Sequence, residues 1–265
     1  MFKYMLVPLI LSAFWVAPAL ASNACVSGDQ LLQAGKYAEA VTAYSQCLES
    51  SPRQSNLWFN RALAHSALNQ SDKAMADYDE VLKLNPIDGE AYLNRGLLKL
   101  TLKQTEAALK DLTLATRLRT QDPEAFRLRG LAYLQHKKTT EALADMNQAV
   151  KLAPRQASCY QGRGEVQVQR GQLGTALQDF SQALNLDAKD PQLWFERGLV
   201  YFRLQQFDKA IYDFGQVLER NPKATDALYN RGLAYTALKK CGPARQDFAK
   251  ACQQGDKSAC KASCD

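Results

Sequence analysis

Residues 191–224 read PQLWFERGLVYFRLQQFDKAIYDFGQVLERNPKA. Apolar residues recur here at helical spacing in two blocks, Leu193-Trp194 with Gly198 and then Ala210, Phe214 and Val217. The segment reads as two helices joined by a tight turn, with no strand alternation. The rows before and after it, 157–190 and 225–258, repeat the pattern without insertion or deletion. Extended back to residue 21, the chain falls into seven rows of 34: 21–54, 55–88, 89–122, 123–156, 157–190, 191–224 and 225–258.

Aligned columns carry the physics. Column eight is Gly28, Ala62, Gly96, Gly130, Gly164, Gly198 and Gly232, and column twenty is alanine in every row from Ala40 to Ala244. Small residues there let two helix backbones approach. Large residues in column four (Trp58, Tyr92, Phe126, Tyr160, Trp194) and column twenty-four (Tyr44, Tyr78, Phe180, Phe214, Phe248) fill the space beside them. Proline near the row end, at Pro52, Pro86, Pro154 and Pro222, separates one row from the next. Column seven is arginine and column twenty-three aspartate in rows two to seven, and row one lacks both, with Ser27 and Ala43. The joint absence points to bidentate Arg–Asp pairing within a row, a structural seam rather than an anion-binding ladder.

Composition narrows the function. Of 265 residues, 46% are hydrophobic, enough for a packed core, which excludes global disorder. A net charge of +6 without a concentrated basic stripe gives no support for nucleic acid as a partner. Only His65 and His136 are available for histidine chemistry. His65 is read as a core substitute in column eleven and His136 as a solvated residue. There is no Gly-rich phosphate loop, no His-Glu-x-x-His and no G-x-S-x-G, so no enzyme, cofactor or metal site is expected.

The first 21 residues, MFKYMLVPLILSAFWVAPALA, read as an address. Lys3 is followed by an apolar run from Leu6 to Leu20 ending in Ala19-Leu20-Ala21, the pattern of a secretory signal peptide cleaved before Ser22. The protein is expected to be exported, periplasmic or extracellular, of bacterial type. An uncleaved anchor and a lipid-anchored Cys25 are the alternatives.

The rows resemble the tetratricopeptide repeat over 21–258. The resemblance implies an all-α right-handed superhelical solenoid of seven antiparallel helix pairs, its concave groove lined by the first helices. Lys99 and Gln167 depart from the aromatic of column eleven, and Thr120, Ala188 and Asp256 from the closing proline. The family's groove columns here supply Phe59, Leu63, Leu93, Leu97, Leu100, Leu131, Leu134, Phe195, Leu199, Phe202, Tyr229 and Leu233. They interleave with Asn60, Asn94, Arg127, Gln161, Glu165, Gln192, Glu196, Arg203 and Asn230. By resemblance, the asparagines of column six (Asn60, Asn94, Asn230) hold a ligand's main chain. The clamp that binds C-terminal carboxylates in other members is not matched, since column five holds Phe59 and Leu93.

Seven cysteines in an exported chain point to disulfides. Cys25 and Cys47 occupy columns that lie opposite each other in an antiparallel pair, so a bridge there is sterically plausible. The stretch Ala251-Cys252-Gln253-Gln254-Gly255-Asp256-Lys257-Ser258-Ala259-Cys260 resembles an element of Sel-like cysteine-rich repeats, which implies a Cys252–Cys260 bridge. Cys241 and Cys264 are left as a second pair, and Cys159 as a small buried thiol. Zinc held by the four C-terminal cysteines is the rival, disfavoured by the lack of Cys-x2–4-Cys knuckles. Residues 257–264 are expected to form a short capping helix, closing the chain over 259–265.

The functional expectation is a non-enzymatic adaptor that binds another protein's segment in the groove through Phe59, Asn60, Leu63, Leu93, Asn94, Leu97, Arg127, Leu131, Phe195, Leu199, Phe202, Tyr229 and Asn230. A homo-oligomeric or peripherally membrane-associated structural component of the cell envelope is the alternative.

Overall fold

A computed structural model describes residues 18–264 of the chain. Most of the N-terminal address therefore lies outside the described residues, and the expected cleavage point after Ala21 falls in the first turn of α1. The described residues contain fourteen α-helices and no strand, and they divide into two compact units between Leu98 and Lys99.

The first unit holds α1 (Pro18–Gln33), α2 (Tyr37–Ser50), α3 (Ser55–Ala67), α4 (Ser71–Leu84) and most of α5 (Gly89–Thr101). The second holds α6 (Thr105–Leu118), α7 (Pro123–Gln135), α8 (Thr139–Leu152), α9 (Ala157–Gln169) and α10 (Leu173–Leu186). It continues with α11 (Pro191–Arg203), α12 (Phe207–Arg220), α13 (Thr225–Ala237) and α14 (Cys241–Gln253). First helices from α3 on start at 55, 89, 123, 157, 191 and 225, and second helices at 37, 71, 105, 139, 173, 207 and 241. Both series step by the 34 residues of the sequence period. Within each unit, helices next to each other in the chain pack together, as α1 does on α2 and α11 on α12.

Local chemistry sets the helix ends. Asp122 and Asp190 cap α7 and α11, each carboxylate accepting from the backbone N–H two residues on, with proline in the first turn. The turn between the two helices of every pair places one residue in the left-handed region. These are Gly35, Asn69, Lys103, Lys137, Gly171, Gln205 and Lys239, with φ between 56° and 74°. Trp58 and Trp194 donate their indole N–H to the carbonyls of Pro52 and Ala188, and Tyr160 its hydroxyl to that of Pro154. The column-four aromatics thus clip the turn that enters their own helix.

The core follows the columns. All seven alanines of column twenty are fully buried, and the column-twenty-four side chains are at most 3% exposed. A Cβ on Gly198 would meet the Phe214 ring at 2.9 Å, and one on Gly164 the Phe180 ring at the same distance, so these glycines are the seats of the rings. The seam is intra-row: Arg61–Asp77, Arg129–Asp145, Arg163–Asp179, Arg197–Asp213 and Arg231–Asp247 are all bidentate at 2.7–2.9 Å. The third guanidinium nitrogen reaches back to the preceding second helix, to Ser45, Thr116, Asn147 and Ser181. One arginine therefore ties its own pair together and joins it to the pair before.

Column eleven packs on this seam. Tyr133 and Tyr201 lie against the guanidinium groups of Arg129 and Arg197. His65 is buried, as expected of a core substitute, with Nδ1 2.8 Å from Gln70 Oε1. Lys99 replaces the aromatic with charge, donating to Asp111 at 2.7 Å.

Disulfides close both ends. Cys25–Cys47 joins α1 to α2, with Cα atoms 5.4 Å apart. Cys252–Cys260 and Cys241–Cys264, at 4.7 and 5.2 Å, fasten the tail to α14 and leave no thiolate there for a zinc ion. Cys159 is free and buried. The expected capping helix is instead a single 3-10 turn, Ala259–Lys261. The Asp256 carboxylate accepts from the N–H groups of Ser258 and Ala259, and the bridge at Cys260 ends the segment before an α-helical ladder can form.

Candidate functional site

First helices contact the next first helix, α1 on α3, α7 on α9 and α11 on α13, and so form one layer in each unit. Their side chains away from the second helices make the candidate surface.

In the first unit, Phe59 and Leu63 are half-buried on α3, and Leu97 is 39% exposed on α5. Leu93 is buried at 8%, and it packs as core rather than standing accessible as the columns suggest. The Asn60 amide donates to Asp29 at 2.9 Å, and the Tyr44 hydroxyl donates to the same oxygen at 2.6 Å. Burial, reinforced by Asp29, pushes the Tyr44 phenol far above its ordinary range. Asn94 spends one N–H on the carbonyl of Glu90, one turn earlier in its own helix.

In the second unit, Leu131, Phe195, Leu199, Phe202 and Tyr229 are half-buried. Leu100 and Leu134, part of the same apolar stripe, are buried and belong to the core. Phe195 leans on Phe214 with ring centroids 5.7 Å apart, Tyr229 on Phe248 at 5.9 Å and Phe202 on Phe207 at 5.4 Å. Phe59 stands in the same way on Tyr78 in the first unit. Phe59, Phe195 and Tyr229 therefore each lean on a core ring and stay partly open, whereas Phe207 beside Phe202 is itself half-buried. Asn230 donates to the carbonyl of Asp226, as Asn94 does to that of Glu90, which leaves an N–H and the amide oxygen of each for a ligand. Arg127 is held by Glu124 in two hydrogen bonds of 2.6 and 2.8 Å, which raise its pKa.

A cavity of about 330 Å³ opens between α7, α9 and α11, with Leu134, Phe180, Leu199 and Val200 as walls. Glu165 and Glu196 both line it. Glu196 Oε1 accepts from Gln161 at 3.0 Å and Gln192 at 2.9 Å, whereas Oε2 is shut from solvent and meets no donor. Burial pushes the Glu165 carboxyl up to about 7; Glu196 adds to the rise and Arg127 opposes it. Burial also raises the Glu196 carboxyl, against the two glutamine donors. Both glutamates are legible in the sequence as groove-facing polar residues. Their convergence is not, because they come from column nine of one row and column six of the next. A spacing of 31 residues in a period of 34 is the signal that could have found it.

Stacked antiparallel helix pairs, keyed by Gly–aromatic contacts and an Arg–Asp seam, define a helical-repeat protein. Tetratricopeptide repeat models match residues 26–86, 64–123 and 93–157, and again 191–224, and a TPR repeat model matches 164–205. The chain belongs to the tetratricopeptide repeat family. A comparison with curated proteins finds no match. Among solved structures, the chain is similar to a tetratricopeptide repeat protein from Parabacteroides merdae, with 20% identity over 91% of this chain and 96% of that one, at a TM-score of 0.72. It is also similar to MamA from Desulfovibrio magneticus RS-1, with 24% identity, 64% and 97% coverage and a TM-score of 0.60. YrrB, described as a TPR protein with an unusual peptide-binding site, shares 23% identity over 69% and 94%, with a TM-score of 0.56. At these identities the likeness is one of fold.

Proposed function

We propose that this protein is an exported, non-enzymatic adaptor that binds a segment of another polypeptide on its first-helix face. The observation that carries the reading is the pair of half-buried rings Phe195 on α11 and Tyr229 on α13, each seated on a core ring and still partly exposed, with half-buried Leu199 and Phe202 on the same helix as Phe195. Apolar groups held rigidly in this way bind a partner's side chains with little loss of their own freedom. Asn94 and Asn230, with an N–H and an oxygen still to pair, suit an extended main chain. YrrB, a protein of the same fold, has a peptide-binding site. Export is supported by the N-terminal address together with three disulfides, which persist in oxidising compartments. In this reading the bridged tail, with its likeness to Sel-like repeats, serves as a cap over the last helix pair.

The test is affinity capture of envelope proteins with the chain from Ser22 onward, beside the variant Phe195→Ala/Phe202→Ala. The variant should retain its helical circular dichroism, melt earlier because Phe195 also packs on the core ring of Phe214, and lose the captured partner. A folded variant that captures the same partner equally well would refute the reading.

A further inference from the structure

The cavity between α7, α9 and α11 has a chemistry that the apolar anchors do not share. Two carboxylates, Glu165 and Glu196, face one space whose other walls are leucine, valine and phenylalanine, with Gln169 and Arg203 completing the lining. The cations nearby make no hydrogen bond to either carboxylate, although the charge of Arg127 favours ionised Glu165. Arg127 is engaged by Glu124 through both of its bonding nitrogens, and the exposed Arg203 stands at the rim without a bond to either glutamate. The α10 side of the cavity supplies Phe180, and the neighbouring Asp179 is bound to Arg163. Glu165 is half-buried, and Glu196 Oε2 is shielded from solvent with no donor in reach. A buried oxygen left this way is costly, and a donor brought by a ligand would remove the cost.

We propose that this cavity receives a lysine or arginine side chain of the bound polypeptide, its charged end between Glu165 and Glu196 and its aliphatic stem along Leu134, Phe180 and Leu199. A long cationic side chain fits because its stem is apolar and its head carries several N–H donors. A volume of about 330 Å³ leaves room for either residue. The inference rests on the adaptor reading above and names what the partner segment must carry. It also makes binding depend on pH. Burial and Glu196 push the Glu165 carboxyl up to about 7 against the pull of Arg127, and burial raises Glu196 as well, so the cavity gains negative charge as pH rises through neutrality.

Two acetylated and amidated nine-residue peptides separate the possibilities. One has a lysine between two leucines, and its twin has norleucine in place of the lysine, keeping the stem and losing the charge. Binding is followed by NMR on the oxidised chain with ¹³C-labelled glutamate carboxyls. The lysine peptide should bind about tenfold more tightly than its twin at pH 8, the scale of one charge-assisted contact. The advantage should shrink at pH 5.5, and the Glu165 titration midpoint should fall when that peptide is bound. In Glu165→Gln/Glu196→Gln the two peptides should bind alike. Glu165→Gln alone serves as the second variant, since losing a buried charge does not endanger the fold. Equal binding of both peptides to the native chain would overturn the cationic site and leave the adaptor reading standing. Failure of both peptides to bind would overturn both.

Discussion

Replacing Arg197 by alanine should be among the most damaging single changes in the second unit, although the side chain serves the seam with α12 rather than the groove. The guanidinium donates to Asp213 twice at 2.8 Å, reaches Ser181 at 3.3 Å, and lies 4.9 Å from the centre of the Trp194 ring. Asp213 is 1% exposed. Removing the arginine leaves a carboxylate that can neither reach water nor find a donor, a loss of about 3–5 kcal/mol. The sign of the pH dependence is fixed by the same geometry. Burial raises the Asp213 carboxyl and Arg197 holds it down, so without Arg197 it must rise further. A group whose folded-state pKa lies above its unfolded value binds more protons in the folded state, so stability increases as pH falls through that value. The deficit of Arg197→Ala should therefore be greatest at pH 7–8 and smaller near pH 5. The double change Arg197→Met/Asp213→Leu, which removes both charges, should recover at least half of the loss. Repeat arrays need not unfold in one step, so a local probe is preferable to a global midpoint. Trp194 supplies one in a Trp58→Phe background, followed through urea unfolding. A deficit below about 1 kcal/mol that does not change with pH would refute the seam as the element that locks each helix pair.

Three further outcomes follow from the same geometry. Lys103→Gly and Lys137→Gly, at exposed positions with φ of 59° and 61°, should each raise stability by about 1 kcal/mol, and Gly171→Ala, at 74°, should lower it by a similar amount, read by urea midpoints. Gly198→Ala forces a methyl to within 2.9 Å of the Phe214 ring and should cost about 1–3 kcal/mol by the same Trp194 readout. Cys241→Ser/Cys264→Ser should loosen the tail, costing about 2–4 kcal/mol of local stability and raising amide exchange at Ala259–Lys261 and α14, while α6 to α10 remain protected.

The fold was open to reading because every structural contact that defines it repeats in register. The alanine column, the ring column, the Arg–Asp pair and the Cys25–Cys47 bridge each rest on residue types that have one good use at one spacing. Turn geometry was not legible in the same way. Lysine and glutamine at the left-handed position carry no signal of φ, and only Gly35, Gly171 and Asn69 hint at it. The candidate site was partly legible. Column membership places Phe195, Phe202 and Tyr229 on the right helices, but it cannot tell an open leucine from a covered one, so Leu93 reads like Leu97 although only Leu97 is exposed. The asparagines illustrate a second limit: their identity suggests free amides, whereas Asn60 is engaged by Asp29, and Asn94 and Asn230 by their own helices. The Glu165–Glu196 cavity needs the offset between neighbouring rows, which no single column contains.

Groove binding is tested most directly by site-specific photocrosslinking in cells that express the full chain. A photoreactive residue would be placed in turn at Leu97 and Arg203 on first helices, and at Tyr212, 59% exposed on α12, and Ile87, 73% exposed in the turn before α5. Groove binding should give covalent adducts with another protein from Arg203 and Leu97, lost in the Phe195→Ala/Phe202→Ala background, and none from Tyr212 or Ile87. Adducts from Tyr212 or Ile87 with none from Arg203 would contradict it.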